Sequence, residues 1–189
     1  MASERILCAG FGGQGVMVLG KLIACAAMLD GREVTWMPSY GPEMRGGTAY
    51  CSVVVSDDPV GSPIVTTNAT SLIVMNLPSL DRFERSVLTG GLILVNSSLI
   101  DREIGRDDVQ VQRLEANKIA AQCGAPKAAN MIMLGAYMAI RGVVDERHLK
   151  NAFRQIFGTM TTTAHELNLK AVRRGFDSVD PDVAMRRAA

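Results

Sequence analysis

Residues 5–16 read Arg5-Ile6-Leu7-Cys8-Ala9-Gly10-Phe11-Gly12-Gly13-Gln14-Gly15-Val16. A short apolar run enters a turn in which Gly10, Gly12 and Gly15 keep the G-x-G-x-x-G spacing. That spacing lets a strand swing directly into a helix whose free N–H groups face an anion. Val16 to Leu29 supplies the helix, with Ala and Leu at helical spacing up to the turn pair Asp30-Gly31. Glu33 to Met37 then reads as a second strand. Strand, glycine turn, helix and strand make a βαβ unit, which predicts a right-handed crossover and a parallel pair.

Downstream of that unit, Thr48 to Ser56 is a valine-rich strand expected to pair antiparallel at one side of the sheet. Ser71 to Leu77 and Leu92 to Val95 read as buried strands ending at Asn76 and Asn96, with a short polar helix over Asp81 to Val87 and a turn at Gly90-Gly91 between them. Val109 to Leu114 is the last strand. Beyond Ala116 the chain reads as helix: Asn117 to Gln122, Met131 to Arg141, Glu146 to Phe157 and Ala164 to Gly175, the last two packed as a hairpin on the sheet. The expected fold is α/β: a Rossmann-like, doubly wound, mostly parallel sheet with helices on both faces and a helical C-terminal region from about residue 116, all in one domain over 1–189.

Composition narrows the function. Twenty Lys and Arg against 19 Asp and Glu leave no net field to gather nucleic acid or anionic lipid. The first residues lack the charged-then-apolar order of a secretory signal, and no apolar stretch reaches membrane-spanning length, so a cytoplasmic protein is expected. Cys8, Cys25, Cys51 and Cys123 are scattered without a C-x-x-C pair and read as buried free thiols, not cluster or zinc ligands. His148 and His165 read as solvated or capping residues, and neither catalytic nor metal-ligating residues are assigned to the chain.

The chemistry therefore rests on loops. A dinucleotide site needs an acid at the end of the second strand to hold the ribose hydroxyls, yet that strand runs out into Pro38-Ser39-Tyr40. A phosphate or another acceptor-rich group fits better, with Gly10, Gly12, Gly13 and Gly15 supplying backbone and Gln14 an amide. The second loop, Tyr40-Gly41-Pro42-Glu43-Met44-Arg45-Gly46-Gly47, adds a stacking face at Tyr40, a hydroxyl at Ser39, an organising carboxylate at Glu43 and a guanidinium at Arg45. Gly46 and Gly47 leave the guanidinium unobstructed. Carboxyl ends of parallel strands share one crevice, so these loops, with Asn76 and Asn96, are expected to converge on a single polar site.

At these residues the sequence resembles a known family. Gly10 to Val16, Pro38 to Thr48, Gly61-Ser62-Pro63 and Asn130-Met131 through Leu134-Gly135 resemble the gamma subunit of 2-oxoacid:ferredoxin oxidoreductases, and the similarity runs from Ile6 to about Gly158. The second loop looks most like the 2-oxoglutarate and branched-chain types. The resemblance implies an enzyme that decarboxylates a 2-oxoacid on thiamine diphosphate, passes electrons through iron–sulfur clusters to ferredoxin and releases an acyl-coenzyme A. By the same implication, thiamine diphosphate, magnesium and the clusters sit on alpha and beta subunits, with delta a further candidate partner, and coenzyme A is the co-substrate on the gamma side. 2-Oxoglutarate is the first expectation for substrate and a branched-chain 2-oxoacid the second. Alone, the chain is expected to be inactive and to dimerise. Two other readings stand beside this one: a self-sufficient NAD- or flavin-binding oxidoreductase, and a purely structural module.

Overall fold

A computed structural model describes residues 3–40, 48–158 and 162–180. Six strands form one sheet in the order β2-β3-β1-β4-β5-β6: β1 (Glu4–Phe11), β2 (Glu33–Tyr40), β3 (Thr48–Ser56), β4 (Ala69–Val74), β5 (Val87–Asn96) and β6 (Gln110–Leu114). β1, β4, β5 and β6 are parallel neighbours, while β3 runs antiparallel to both β1 and β2. The mixed α/β fold expected from the sequence is the one observed.

Two pairings differ from expectation. β1 and β2 point the same way but do not touch, because β3 is inserted between them, with Ile6 opposite Val53 and Trp36 on Val53's other side. β3 is thus interior, not at a side of the sheet. Its burial explains the choice: Val53, Val54 and Val55 are all closed off from solvent, and a run apolar on successive residues must be covered on both faces. β2, with Pro38, takes the edge instead, where a missing backbone donor is tolerated.

β4 stops at Val74, and Asn76 begins a helix instead of ending the strand. Its side chain accepts from Ser79 N at 2.9 Å, with a proline in the first turn, so α2 runs over Leu77–Phe83 and continues as a 3-10 turn at Glu84–Ser86. β5 starts earlier than expected, at Val87, running through Gly90 (φ 77°) with a register irregularity against β4.

The two faces are unequally covered. On one lie α1 (Val16–Leu29), α3 (Ala116–Gln122), α4 (Ala129–Arg141), α5 (Glu146–Phe157) and α6 (Thr162–Asp177), sharing a core with Ile6, Cys8, Val53, Val55, Ile73 and Leu94. On the other, α2 and loops cover Leu7, Ala9, Val54, Leu72 and Ile93. α4 is buried all round, so Met131, Met133 and Met138 fill core as expected. α5 and α6 do not form a hairpin on the sheet. α5 lies along α1, with Cys25 Sγ 3.1 Å from Gln155 Oε1, and α6 crosses α4 at two glycines. A Cβ on Gly135 would overlap the Val172 carbonyl, and one on Gly175 the Ile132 carbonyl. Among the described residues no helix is long and apolar enough to cross a membrane.

Candidate functional site at the carboxyl edge of the sheet

The turn after β1 takes the conformation its glycines were read to permit. Gly13 and Gly15 have φ of 96° and 76°, a region closed to most side chains. Gly15 is the residue before α1, no side chain caps that helix, and its first turn contains no acid. Among the described residues no side chain compensates the positive end of the α1 dipole, which faces the exposed Gly12-Gly13 tip. Gly13 has open space around it: among the described residues nothing lies within 4 Å of where a Cβ would stand.

Gln14 does something the sequence did not show. Its amide oxygen accepts from Phe11 N at 2.6 Å and its amide nitrogen donates to Met75 O at 3.2 Å, so the side chain ties the ends of β1 and β4 together. Gly10 is required by the same arrangement, because a Cβ there would lie 2.7 Å from Gln14 Oε1 and 2.9 Å from Met75 Cβ. Asn130, in the first turn of α4, is a positioning residue absent from the expected site: Nδ2 donates to Gly15 O at 3.2 Å, and its side chain occupies the place of a Gly15 Cβ. The signal for it was present in the quoted Asn130-Met131 motif, but only the packing of α4 against the turn gives it a role.

The other expected residues are brought to the same edge but not to the same point. Phe11 is opposite Thr48 and Tyr40 opposite Ala49, so the ends of β1, β3 and β2 stand in a row there. β3 separates Ser39 and Tyr40 from the turn by two strand spacings, about 10 Å. That separation also counts against a dinucleotide site, in which the end of the second strand must adjoin the turn. Glu43, Arg45, Gly46 and Gly47 lie outside the described residues. Asn96 is fully buried: Nδ2 donates to Asn117 Oδ1 at 2.8 Å, and Oδ1 accepts from Ser98 N at 3.3 Å, which organises the turn after β5. Asn76 caps α2 through Oδ1, while its buried Nδ2 has no hydrogen-bond partner among the described residues.

One property of this edge was not foreseen. Phe11, the last residue of β1, and Leu77 and Leu99, just past the ends of β4 and β5, are exposed apolar side chains at the carboxyl edge of three neighbouring strands. An apolar row beside a turn with exposed backbone amides can hold a bulky ligand or a protein surface.

The thiols are as expected for Cys8, Cys51 and Cys123, which are buried and free, whereas Cys25 is half-buried. Burial pushes the Cys8 thiol well up from its ordinary value, with the neighbouring Cys51 adding to the effect. His165 packs edge-on against Phe153 and Phe157. His148 is not solvated: it lies between two carboxylates.

The chain is similar to known proteins in sequence and fold. Residues 5–178 match the family model described as pyruvate ferredoxin/flavodoxin oxidoreductase. Ketoisovalerate oxidoreductase subunit VorA of Methanothermobacter marburgensis is 40% identical over 175 residues, covering 92% of this chain. The chain spans only 36% of that relative's length. 2-Oxoglutarate synthase subunit KorC of Methanocaldococcus jannaschii is 30% identical over 177 residues, 92% of each protein. Among solved structures, the keto/oxoacid ferredoxin oxidoreductase gamma subunit from Geobacter sulfurreducens PCA superposes with a TM-score of 0.77 at 29% identity, over 92% of this chain and 96% of that one. With a family match spanning nearly every element of the sheet and its helical layer, the chain belongs to the pyruvate ferredoxin/flavodoxin oxidoreductase family.

Proposed function

We propose that the chain is the gamma-type subunit of a thiamine-diphosphate-dependent 2-oxoacid:ferredoxin oxidoreductase, working with alpha and beta subunits and with ferredoxin as acceptor. The observation that carries this reading is the match to a KorC subunit over 92% of each protein, together with an apolar row beside an α1 N-terminus that has no side-chain cap. The row of Phe11, Leu77 and Leu99 suits the partner subunits, which would carry thiamine diphosphate, magnesium and the iron–sulfur clusters. The Gly12-Gly13 tip and the α1 N-terminus fit phosphate groups, so this side of the complex is assigned to coenzyme A, the acceptor of the acyl group. The oriented amides of the turn would hold those phosphates, and Gln14 and Asn130 would keep the amides in place. Identity of 40% to VorA, against 30% to KorC, supports ketoisovalerate ahead of 2-oxoglutarate as substrate, reversing the order expected from the loop motif.

The test is co-expression with the neighbouring reading frames, followed by 2-oxoacid-dependent ferredoxin reduction by the purified complex. Assembly is expected, with a higher kcat/KM for ketoisovalerate than for 2-oxoglutarate and a coenzyme A requirement. Phe11→Asp with Leu99→Asp should reduce co-purification of the partners while leaving this chain folded. Reduction of an acceptor by the contaminant-free chain alone, at the expense of a 2-oxoacid, would overturn the subunit reading.

A further inference from the structure

At the other end of α1 the last residue before the Gly31 turn is Asp30, and it meets the start of α5. α5 is capped by Asp145, whose Oδ1 accepts from His148 N at 2.7 Å. The His148 imidazole turns back into this junction. Nδ1 lies 3.0 Å from Asp30 Oδ1 and 3.2 Å from Asp145 Oδ1, and the ligand atoms of all three residues lie within 4.8 Å of one another. His148 is 9% exposed, and Nδ1 is itself buried, yet it makes a hydrogen bond to neither oxygen. The distances suit hydrogen bonds; the alignment does not. An imidazole nitrogen has one in-plane axis, and here it falls on neither carboxylate oxygen.

Donor atoms that share a central ion have this relationship. With bonds of about 2.0–2.2 Å at tetrahedral angles, neighbouring ligand atoms stand about 3.3–3.6 Å apart, a few tenths of an ångström wider than the 3.0 and 3.2 Å found here, and each points at the centre instead of at its neighbour. We propose that Asp30, Asp145 and His148 form a divalent-cation site, of the nitrogen-and-oxygen type that suits zinc, clamping the end of α1 to the start of α5. Two carboxylates balance the charge of the ion. The cation lies beside the negative end of the α1 dipole and the positive end of the α5 dipole, whose fractional charges largely cancel. Both carboxylates are partly open to solvent, which leaves a position for water. The Asp145 carboxylate is oriented by its capping bond before the ion arrives, and the Asp30 main chain is anchored by bonds from its N–H to Ala26 O and Ala27 O at 3.1 Å. Ligation through Nδ1 places the ring proton on Nε2, so Arg147, whose Nη2 lies 3.2 Å from Nε2, gives up that contact; it is exposed and can pair with water. The site lies about 20 Å from the glycine turn, the length of α1, and does not depend on the coenzyme A assignment.

The full chain, stripped with chelator, is titrated with zinc chloride by calorimetry and then melted with and without the metal. One ion per chain and a raised Tm are expected. Asp30→Asn and His148→Gln should each weaken binding about tenfold or more and remove the rise in Tm. Asp145→Asn keeps the cap and should weaken binding too. His165→Gln should change neither. If His148→Gln fails to fold, Asp30→Asn decides, since Asp30 is exposed and its backbone bonds survive the change. Zinc binding that Asp30→Asn leaves intact overturns the site, as does a titration without binding.

Discussion

Gly13 and Gly15 both adopt positive φ, yet they serve different ends. Among the described residues a side chain at Gly13 meets only backbone strain, whereas at Gly15 it also collides with Asn130, which holds the start of α4 against the turn. Gly13→Ala should therefore cost about 1 kcal/mol and Gly15→Ala about 2–3 kcal/mol, measured as the difference in denaturant midpoint at unchanged slope. Equal losses would show that α4 is not seated on the turn. The glycine spacing and its turn were legible at this scale because backbone freedom belongs to the residue itself. The partners of Gln14 and Asn130 were not, since they lie 61 and 115 positions away and exist only once β1 adjoins β4 and α4 is docked.

At the scale of the element, bounds were read where punctuation is chemical. α1 and α5 begin and end where the glycine turn, the Asp30-Gly31 pair and the Asp145 cap dictate. α2 begins before the stretch that the sequence predicts, because Asn76, which reads as the end of a strand, caps a helix. The capping role of Asp145 has a measurable size. In chelator, Asp145→Ala should lose about 1 kcal/mol and Asp145→Asn only a few tenths, because asparagine accepts the same bond. The α4–α6 crossing is the stronger constraint. Two glycines let the helices approach until backbone meets backbone, so Gly135→Ala or Gly175→Ala must push α6 outward, at about 3 kcal/mol each. Thermal unfolding of the two variants checks this, and a Tm within a degree or two of the parent would contradict it.

For the whole molecule, the amino edge of the sheet is knitted by a polar network joining β1, β4 and α4. Glu4 Oε1 accepts from Ser71 Oγ at 2.6 Å and from Tyr137 Oη at 3.0 Å, while Arg141 donates to Ser71 Oγ at 3.2 Å and to Thr70 O at 2.9 Å. Burial, with the Glu4 carboxylate beside it, raises the Tyr137 phenol well above its ordinary value of 10.0. The folded state then holds that proton more tightly than the unfolded chain, so this contribution is complete below pH 10 and is lost as pH rises beyond it. Tyr137→Phe should lower stability at neutral pH but flatten its decline above pH 10, in denaturant titrations across pH. A decline of unchanged steepness would place the alkaline sensitivity elsewhere.

The sequence by itself determined the α/β class, nearly all of the elements, the glycine turn and the family, because these follow from local periodicity, from backbone freedom and from motifs a few residues long. Only the tertiary structure decided that β3 lies between β1 and β2, that α6 belongs to α4, and that Asp30, Asp145 and His148 meet. The physical reason is that strand order and side-chain convergence depend on how all faces are buried together, a property that no single stretch of chain contains.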